Sequence, residues 1–391
     1  MWGIAAAGLW LVAAVVLWRT SVPDLHLPQV GAREVLAPPE LARSERFGRG
    51  LRLLWLGAVV AQLATLVLAV WLAPKVRVRG ILGGVALVAA TLVAVWLARL
   101  PFVLAAHWWR RRYGISRADY GTILVDPWLE RLGALAAACV TLALVMLLAR
   151  RLGDRWWIVG GPAFALLGAA FLLAQPYLLV PRLDPLRDRA LAARIQRLAR
   201  EQGVGEVDLE VRDASRRTRA INAQLYGVGP TKRVVLWDTA LDGRLTRPEI
   251  LSLAAHEFGH VEARHLWKSI GWLLLFAVPG AYVVARVTRR RGGLEQPAAV
   301  PLALLAVTLL ELATLPATNA ISRRYETEAD WHSLRATGDP QAFDGLIREL
   351  SAAALADPDP PRWAQIVLGT HPTPVKRVAM ARSAAALLEG S

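Results

Sequence analysis

The chain has one cysteine among 391 residues, Cys139, and it lies inside an apolar run. An intramolecular disulfide is therefore impossible, and a cysteine-based metal site is excluded. The first residues, Met1 to Leu17, have no basic leader and no small-residue cleavage site, so they read as a retained span rather than a removed signal peptide. Internal repeats are absent. Acidic residues number 31 against 46 basic ones, a net charge of +15 carried almost entirely by arginine. A balance of that kind can indicate nucleic acid, but here the arginines flank apolar runs, as at Arg110-Arg111-Arg112 and Arg289-Arg290-Arg291. Placement near anionic headgroups accounts for them, and nucleic acid is not an expected partner.

Apolar residue is what the chain has most of. The hydrophobic fraction is 55% and the mean hydropathy +0.37, gathered in blocks as in a polytopic helical membrane protein. About seven stretches approach the roughly 20 residues needed to cross a bilayer as helices. They lie near 2–18, 53–73, 81–104, 132–149, 156–179, 270–286 and 299–320. Many of the 16 tryptophans sit near their ends, as interfacial belts do. The expected organisation is an N-terminal transmembrane region over 1–180, with five spans, and a more polar region over 181–391 interrupted by the last two.

The first aqueous stretch runs from about Pro181 to Lys268. It opens with an amphipathic helix, Asp188 to Gln202, with Leu191, Ile195 and Leu198 on one face. Strand-like runs follow at Val207–Val211, Ala220–Tyr226 and Arg233–Trp237, and the turn signal Gly227-Val228-Gly229-Pro230 predicts a small antiparallel meander. A helix then starts at Thr246, which with Glu249 forms a capping box, with Pro248 in the first turn. From Asn319 onward the chain reads as helical up to the Asp357-Pro358-Asp359-Pro360-Pro361 break, and a last helix follows Pro374.

The helix that starts at Thr246 carries His256-Glu257-Phe258-Gly259-His260. Histidines four apart project from one helix face and can share one tetrahedral Zn²⁺. Glu257, beside the first of them, reaches the water that zinc acidifies to a pKa of about 7 and can take its proton during attack on a peptide carbonyl. The motif is short, and a surface helix with two solvated histidines would match it too. Its cap, its apolar surroundings (Leu253, Ala254, Ala255, Phe258) and a carboxylate source at Glu326 and Asp330 favour the metal. Those two acids share a helix face, so one can bind the ion while the other accepts the free N–H of a ligating histidine. The motif helix reads as running on into the sixth span. His260 is then about 12 Å from Lys268, and Glu326 about 5 Å from Arg323 at the end of the seventh span. With two spans between them, histidines and carboxylate meet on one side of the membrane at similar height.

These residues resemble the type I CAAX prenyl endopeptidase family and its shorter HtpX-like relatives, which are gluzincins. The resemblance extends over Tyr113-Gly114-Ile115-Ser116 with Asp126, Pro185-Leu186, Ser215-Arg216-Arg217 through Asn222-Ala223 to Asp238-Thr239, and His371-Pro372 with Arg377. It implies that His256, His260 and Glu326 hold one zinc ion, that Glu257 is the general base, and that Asp330 supports a ligand. It further implies that His371, with Arg377, faces the scissile carbonyl and stabilises its oxyanion. Asn222 and Ala223 would sit on an edge strand that holds an extended substrate by β-augmentation. The remaining histidines, His26, His107, His265 and His332, read as structural or interfacial.

The expected activity is thus zinc-dependent hydrolysis of membrane-associated proteins or peptides, in CAAX-type or quality-control proteolysis. Basic residues are balanced between the two sets of loops and do not orient the chain. A catalytic side in the cytoplasm follows from the resemblance, and a bacterial plasma membrane from the Ala- and Arg-rich composition. The alternative is a silent membrane scaffold or a transporter with a structural metal. An intact Glu257 speaks against silence, and Glu311 is the chief ionisable residue that a transporter could use.

Overall fold

The computed structural model describes residues 2–125, 128–178, 180 and 183–389; Asp126 lies outside them. The chain opens with α1 (Trp2–Trp18), a short α2 (Ala32–Val35), and the long helices α3 (Pro38–Leu72) and α4 (Gly80–Arg112). After α5 (Tyr120–Val125) come α6 (Trp128–Leu152) and α7 (Trp157–Leu178). Next is the aqueous segment: β1 (Asp184–Pro185), α8 (Arg189–Glu201), β2 (Asp208–Arg212), β3 (Ala223–Tyr226), β4 (Arg233–Trp237) and α9 (Arg247–Glu262). Helices α10 (His265–Thr288) and α11 (Val300–Thr337) return through the apolar region, and α12 (Pro340–Ala354), α13 (Arg362–Val367) and α14 (Pro374–Glu389) finish the chain.

Among the described residues, six helices are long and apolar enough to cross a membrane: α3, α4, α6, α7, α10 and α11. The first expected span, α1, is helical and apolar but has 17 residues, short of the other six. The most apolar windows of the six long helices bury only 11–33% of their residues against the rest of the chain. Core helices of a water-soluble domain would bury most of theirs, so these side chains are left for lipid. The protein is an integral membrane protein. Its helices close a ring in which α3 packs on α4, α4 on α6, α6 on α7, α7 on α10, α10 on α11 and α11 back on α3.

The aqueous part is built around one cluster. The apolar stripe of α8 (Leu191, Ile195, Leu198) packs with Val234 and Leu236 of β4 and with Leu253, Ala254, Ala255 and Phe258 of α9. Phe258 is fully buried, a burial that stabilises by about 1.5–3 kcal/mol. Asp188 caps α8 by accepting from the Leu191 N–H at 2.9 Å.

Two expectations change. The sheet order is β1-β2-β4-β3, and β2 runs parallel to β4, so the sheet is mixed rather than an antiparallel meander. The segment between β2 and β3 crosses over and leaves β4 between them, while the β3–β4 hairpin is antiparallel as expected. Gly227 starts the hairpin turn with φ 87°, and a Cβ there would lie 2.2 Å from the Thr231 carbonyl oxygen, so no other residue fits. The second change concerns α9, which does not continue into the sixth span. Its helix ends at Glu262, and Arg264 adopts the left-handed region (φ 56°, ψ 37°) before α10 begins at His265. A left-handed conformation costs an L-residue about 1–2 kcal/mol, so tertiary contacts hold this corner in place.

Candidate metal centre

Helix α9 begins with the expected reciprocal cap: Glu249 N–H donates to Thr246 Oγ1 at 3.4 Å, and Thr246 N–H donates to Glu249 Oε2 at 2.6 Å. The helix lies directly against α11, and Gly259 is the point of closest approach. A Cβ at that position would sit 2.9 Å from His332 Cβ and 3.0 Å from both Ala329 Cα and the Ala329 carbonyl oxygen. The glycine inside His256-Glu257-Phe258-Gly259-His260 therefore sets the spacing between the two helices.

At that spacing His256, His260 and Glu326 converge, with one ligating atom from each lying within 4.8 Å of the others. His256 Nε2 is 3.2 Å from His260 Nε2 and 3.3 Å from Glu326 Oε2, and His260 Nε2 is 3.7 Å from Glu326 Oε1. The far nitrogen of His256, Nδ1, lies 2.9 Å from Asp330 Oδ1. Asp330 is fully buried and accepts two bonds from Arg377, at 2.8 Å from Nε and 2.6 Å from the terminal nitrogen. The guanidinium of Arg377 is thus committed to Asp330, one step removed from the cluster.

His371 reaches the cluster from the open side, its Nε2 3.2 Å from Glu326 Oε2 and its side chain 56% exposed. The loop that bears it is clamped from α11. Asn319 donates to the Val367 carbonyl at 2.6 Å, and Arg323 donates to the carbonyls of Gln365 and Gly369 at 2.8 and 2.6 Å. Glu257 faces the sheet, where its Oε2 accepts from the Leu225 N–H at 3.1 Å. Strand β3 is an edge. The Trp237 N–H bonds the Asn222 carbonyl, so in the register Ala223↔Leu236 and Leu225↔Val234 the backbone groups of Ala223 and Leu225 point away from β4, toward α9.

Electrostatics follow from this packing. Burial works against a charged His256, but Asp330 and Glu326 outweigh it and push the imidazole up to about 10. Burial and the charge of His256 hold His260 down to about 3, neutral as a ligand must be. Burial pushes the Glu257 carboxyl up to about 7, against the pull of His256. Arg377 is raised despite its burial, because Asp330 accepts from it.

Do these residues fit a metal? Glu326 Oε2 is buried and makes no well-formed hydrogen bond although two imidazole nitrogens face it. A buried carboxylate oxygen left in that state has lost its hydration without replacement. A cation among the two imidazoles and the carboxylate satisfies it, and a two-nitrogen, one-oxygen set with an open fourth side is a donor set for a catalytic metal ion. The residues fit.

Sequence reasoning set aside His265 and His332. His265 joins the cluster directly, its Nδ1 2.8 Å from His260 Nδ1, whereas His332 pairs with Glu262 at 2.9 Å and reaches Glu328 through Ser21, whose Oγ is 3.2 Å from His332 Nε2.

Comparison with known proteins agrees with this geometry. The chain matches the model of peptidase family M48 over residues 185–385 and belongs to that family. An uncharacterized metalloprotease, YhfN of Bacillus subtilis, is 31% identical over 59% of this chain and 57% of its own. A CAAX prenyl protease 1 homolog of Oryza sativa is 29% identical over 56% of each chain. The chain thus spans little more than half the length of these two relatives. The crystal structure of Ste24p from S. mikatae shares the fold, with a TM-score of 0.75 at 19% identity over 96% of each chain. Family membership implies a metal ion, and His256, His260 and Glu326 form a group that could hold one.

Proposed function

We propose that this chain is a membrane-integrated zinc endopeptidase that cleaves extended segments of membrane-associated proteins or peptides. The observation that carries the reading is the convergence of His256, His260 and Glu326 on one point, with Glu257 beside it facing the edge strand. The reading divides the chain into a transmembrane region, 1–180, and a peptidase region, 181–391, interrupted by α10 and the apolar part of α11. His256, His260 and Glu326 hold Zn²⁺, with Asp330 orienting His256. When bound, zinc polarises a peptide carbonyl and acidifies a water.

The chain's own residues do the rest. Glu257 Oε2 takes the proton of the attacking water and returns it to the leaving amine; burial pushes its carboxyl up, and a bound cation would draw it back toward the carboxylate form. His371, exposed beside Glu326, donates from Nε2 to the oxyanion as it forms. Arg377 serves through Asp330, which it holds with two bonds, rather than by facing the carbonyl. The outward backbone groups of Ala223 and the outward Leu225 carbonyl offer a strand edge to the substrate, the Leu225 N–H being held by Glu257, with Asn222 at the entry of that edge. The arrangement would serve CAAX-type or quality-control proteolysis. A bacterial plasma membrane with the catalytic side in the cytoplasm suits the composition and the family resemblance.

The test is zinc analysis and peptide cleavage by the wild type and by Glu257→Gln. The variant is expected to retain zinc and lose cleavage by about 10²–10⁴-fold. Cleavage by the variant at the wild-type rate would remove Glu257 from its role, and zinc without cleavage in the wild type would leave a structural metal.

A further inference from the structure

We propose that His265 is the positioning residue of the His260 imidazole, the counterpart of Asp330 at His256, and that it passes this support on to Glu328. The assignment rests on the metal-site reading above and adds to it a relay that joins α9, the start of α10 and α11.

The argument starts from the nitrogens. His260 turns Nε2 toward His256 and Glu326, which leaves Nδ1 as the only ring atom free for support. That atom meets His265 Nδ1 at 2.8 Å. Two imidazole nitrogens at this distance need one proton between them. With His260 Nε2 given to a cation, His260 must carry its proton on Nδ1 and donate it. His265 then accepts at Nδ1, carries its own proton on Nε2, and faces Glu328 Oε2 at 2.9 Å. Every tautomer in the chain follows from the one at the metal. An imidazole followed by a carboxylate replaces the single carboxylate found at His256.

Glu328 is equipped to end such a chain. It is 3% exposed, and its other oxygen accepts from the Ser21 N–H at 2.5 Å while Lys268 lies 3.1 Å from Oε2. The ring of His265 cannot turn freely, because it stacks on Tyr325 with centroids 4.4 Å apart and planes 12° apart. Tyr325 is itself fixed, donating to the Leu17 carbonyl at 2.8 Å and accepting from Trp272 Nε1 at 2.9 Å. The left-handed corner at Arg264 completes the case. On an uninterrupted helix a residue five after His260 would lie about 140° around the axis from it. The corner folds His265 back onto His260, so the strained residue and the contact explain each other. Helix α11 then supplies three carboxylates at alternate positions with three destinations: Glu326 to the cation, Asp330 to His256, and Glu328 through His265 to His260.

The test uses the full chain in lipid nanodiscs and reads metal release by chelator competition, with the visible spectrum of the Co²⁺-substituted protein as a second readout. His265→Ala is expected to weaken zinc binding by about 10–100-fold and to alter the Co²⁺ spectrum, the range seen when support of a metal-binding histidine is lost. His265→Asn places an amide oxygen near the Nδ1 position and is expected to recover most of the affinity, which a purely structural role would not predict. Glu328→Gln, which keeps the side-chain volume, is expected to fall between them. Wild-type affinity and spectrum in His265→Ala, with or without a lowered melting temperature, would overturn the proposal while leaving the metal site standing. A wild type that holds no zinc would overturn the metal reading, and the relay with it.

Discussion

Replacing Gly259 by alanine adds one methyl group at the tightest point between α9 and α11. On propensity alone the change should help, since glycine inside a helix costs about 0.5–1 kcal/mol relative to alanine. The structure reverses the sign. The new carbon would lie 2.9 Å from His332 Cβ and 3.0 Å from Ala329 Cα and its carbonyl oxygen. Carbon atoms in good contact are about 3.5–4.0 Å apart, so the helices must separate by roughly half an ångström or more. None of the three atoms is the end of a flexible side chain. Overpacking of this kind costs about 1–3 kcal/mol, which leaves a net loss of roughly 0–2.5 kcal/mol after the propensity gain. The larger effect falls on the site. Glu326 is three residues before Ala329 on the helix that moves, and metal distances tolerate only about 0.2 Å. Gly259→Ala is therefore expected to lower zinc affinity far more than it lowers the melting temperature of the metal-free protein. Chelator competition and thermal melting of the two proteins measure both. A variant that melts higher and holds zinc as tightly as the wild type would refute the close-approach argument.

Three further outcomes follow from the same geometry. His256 is pushed up to about 10 in the metal-free protein, so below that pH a metal ion must displace its proton. Apparent zinc affinity should then rise with pH by about tenfold per unit from this residue alone, and calorimetry showing a pH-independent affinity would contradict it. Asp330→Ala leaves Arg377 buried without its partner, and removal of one member of such a pair costs about 3–5 kcal/mol. The double variant Asp330→Ala, Arg377→Leu should recover part of that stability without recovering zinc affinity, which denaturation and metal titration in parallel would show. Arg323→Ala frees the carbonyls of Gln365 in α13 and of Gly369 in the loop that carries His371; cleavage should fall while zinc affinity stays within about twofold, and an unchanged rate would mean that the loop is held by other contacts.

What the sequence made legible is what depends on local spacing. Two histidines four apart declare a helix face, Thr246 and Glu249 declare its start, and apolar blocks declare the spans. The position of Glu326 also followed, because the seventh span ends just before it. His265 was invisible for a physical reason. Its contact depends on a left-handed Arg264, and an arginine gives no signal of that conformation where a glycine would have. Read as one continuous helix, α9 and α10 place His265 on the wrong side. Strand order was hidden for a related reason, since alternation predicts strands but not which of them ends up in the middle. The commitment of Arg377 to Asp330 pairs residues 47 apart, and no local pattern encodes it.

Helix α11 is 38 residues long, about 57 Å at the usual rise, and one continuous helix both crosses the apolar region and carries Glu326, Glu328 and Asp330. The height of the metal centre above the hydrocarbon is thus written into chain length. A bilayer whose thickness does not match this helix is accommodated by tilt or by local stretching of the lipid, and a tilt moves the three carboxylates together with α9, which is packed against them. Lipid chain length then becomes a variable of the proposed chemistry, one that the sequence of the site alone does not contain.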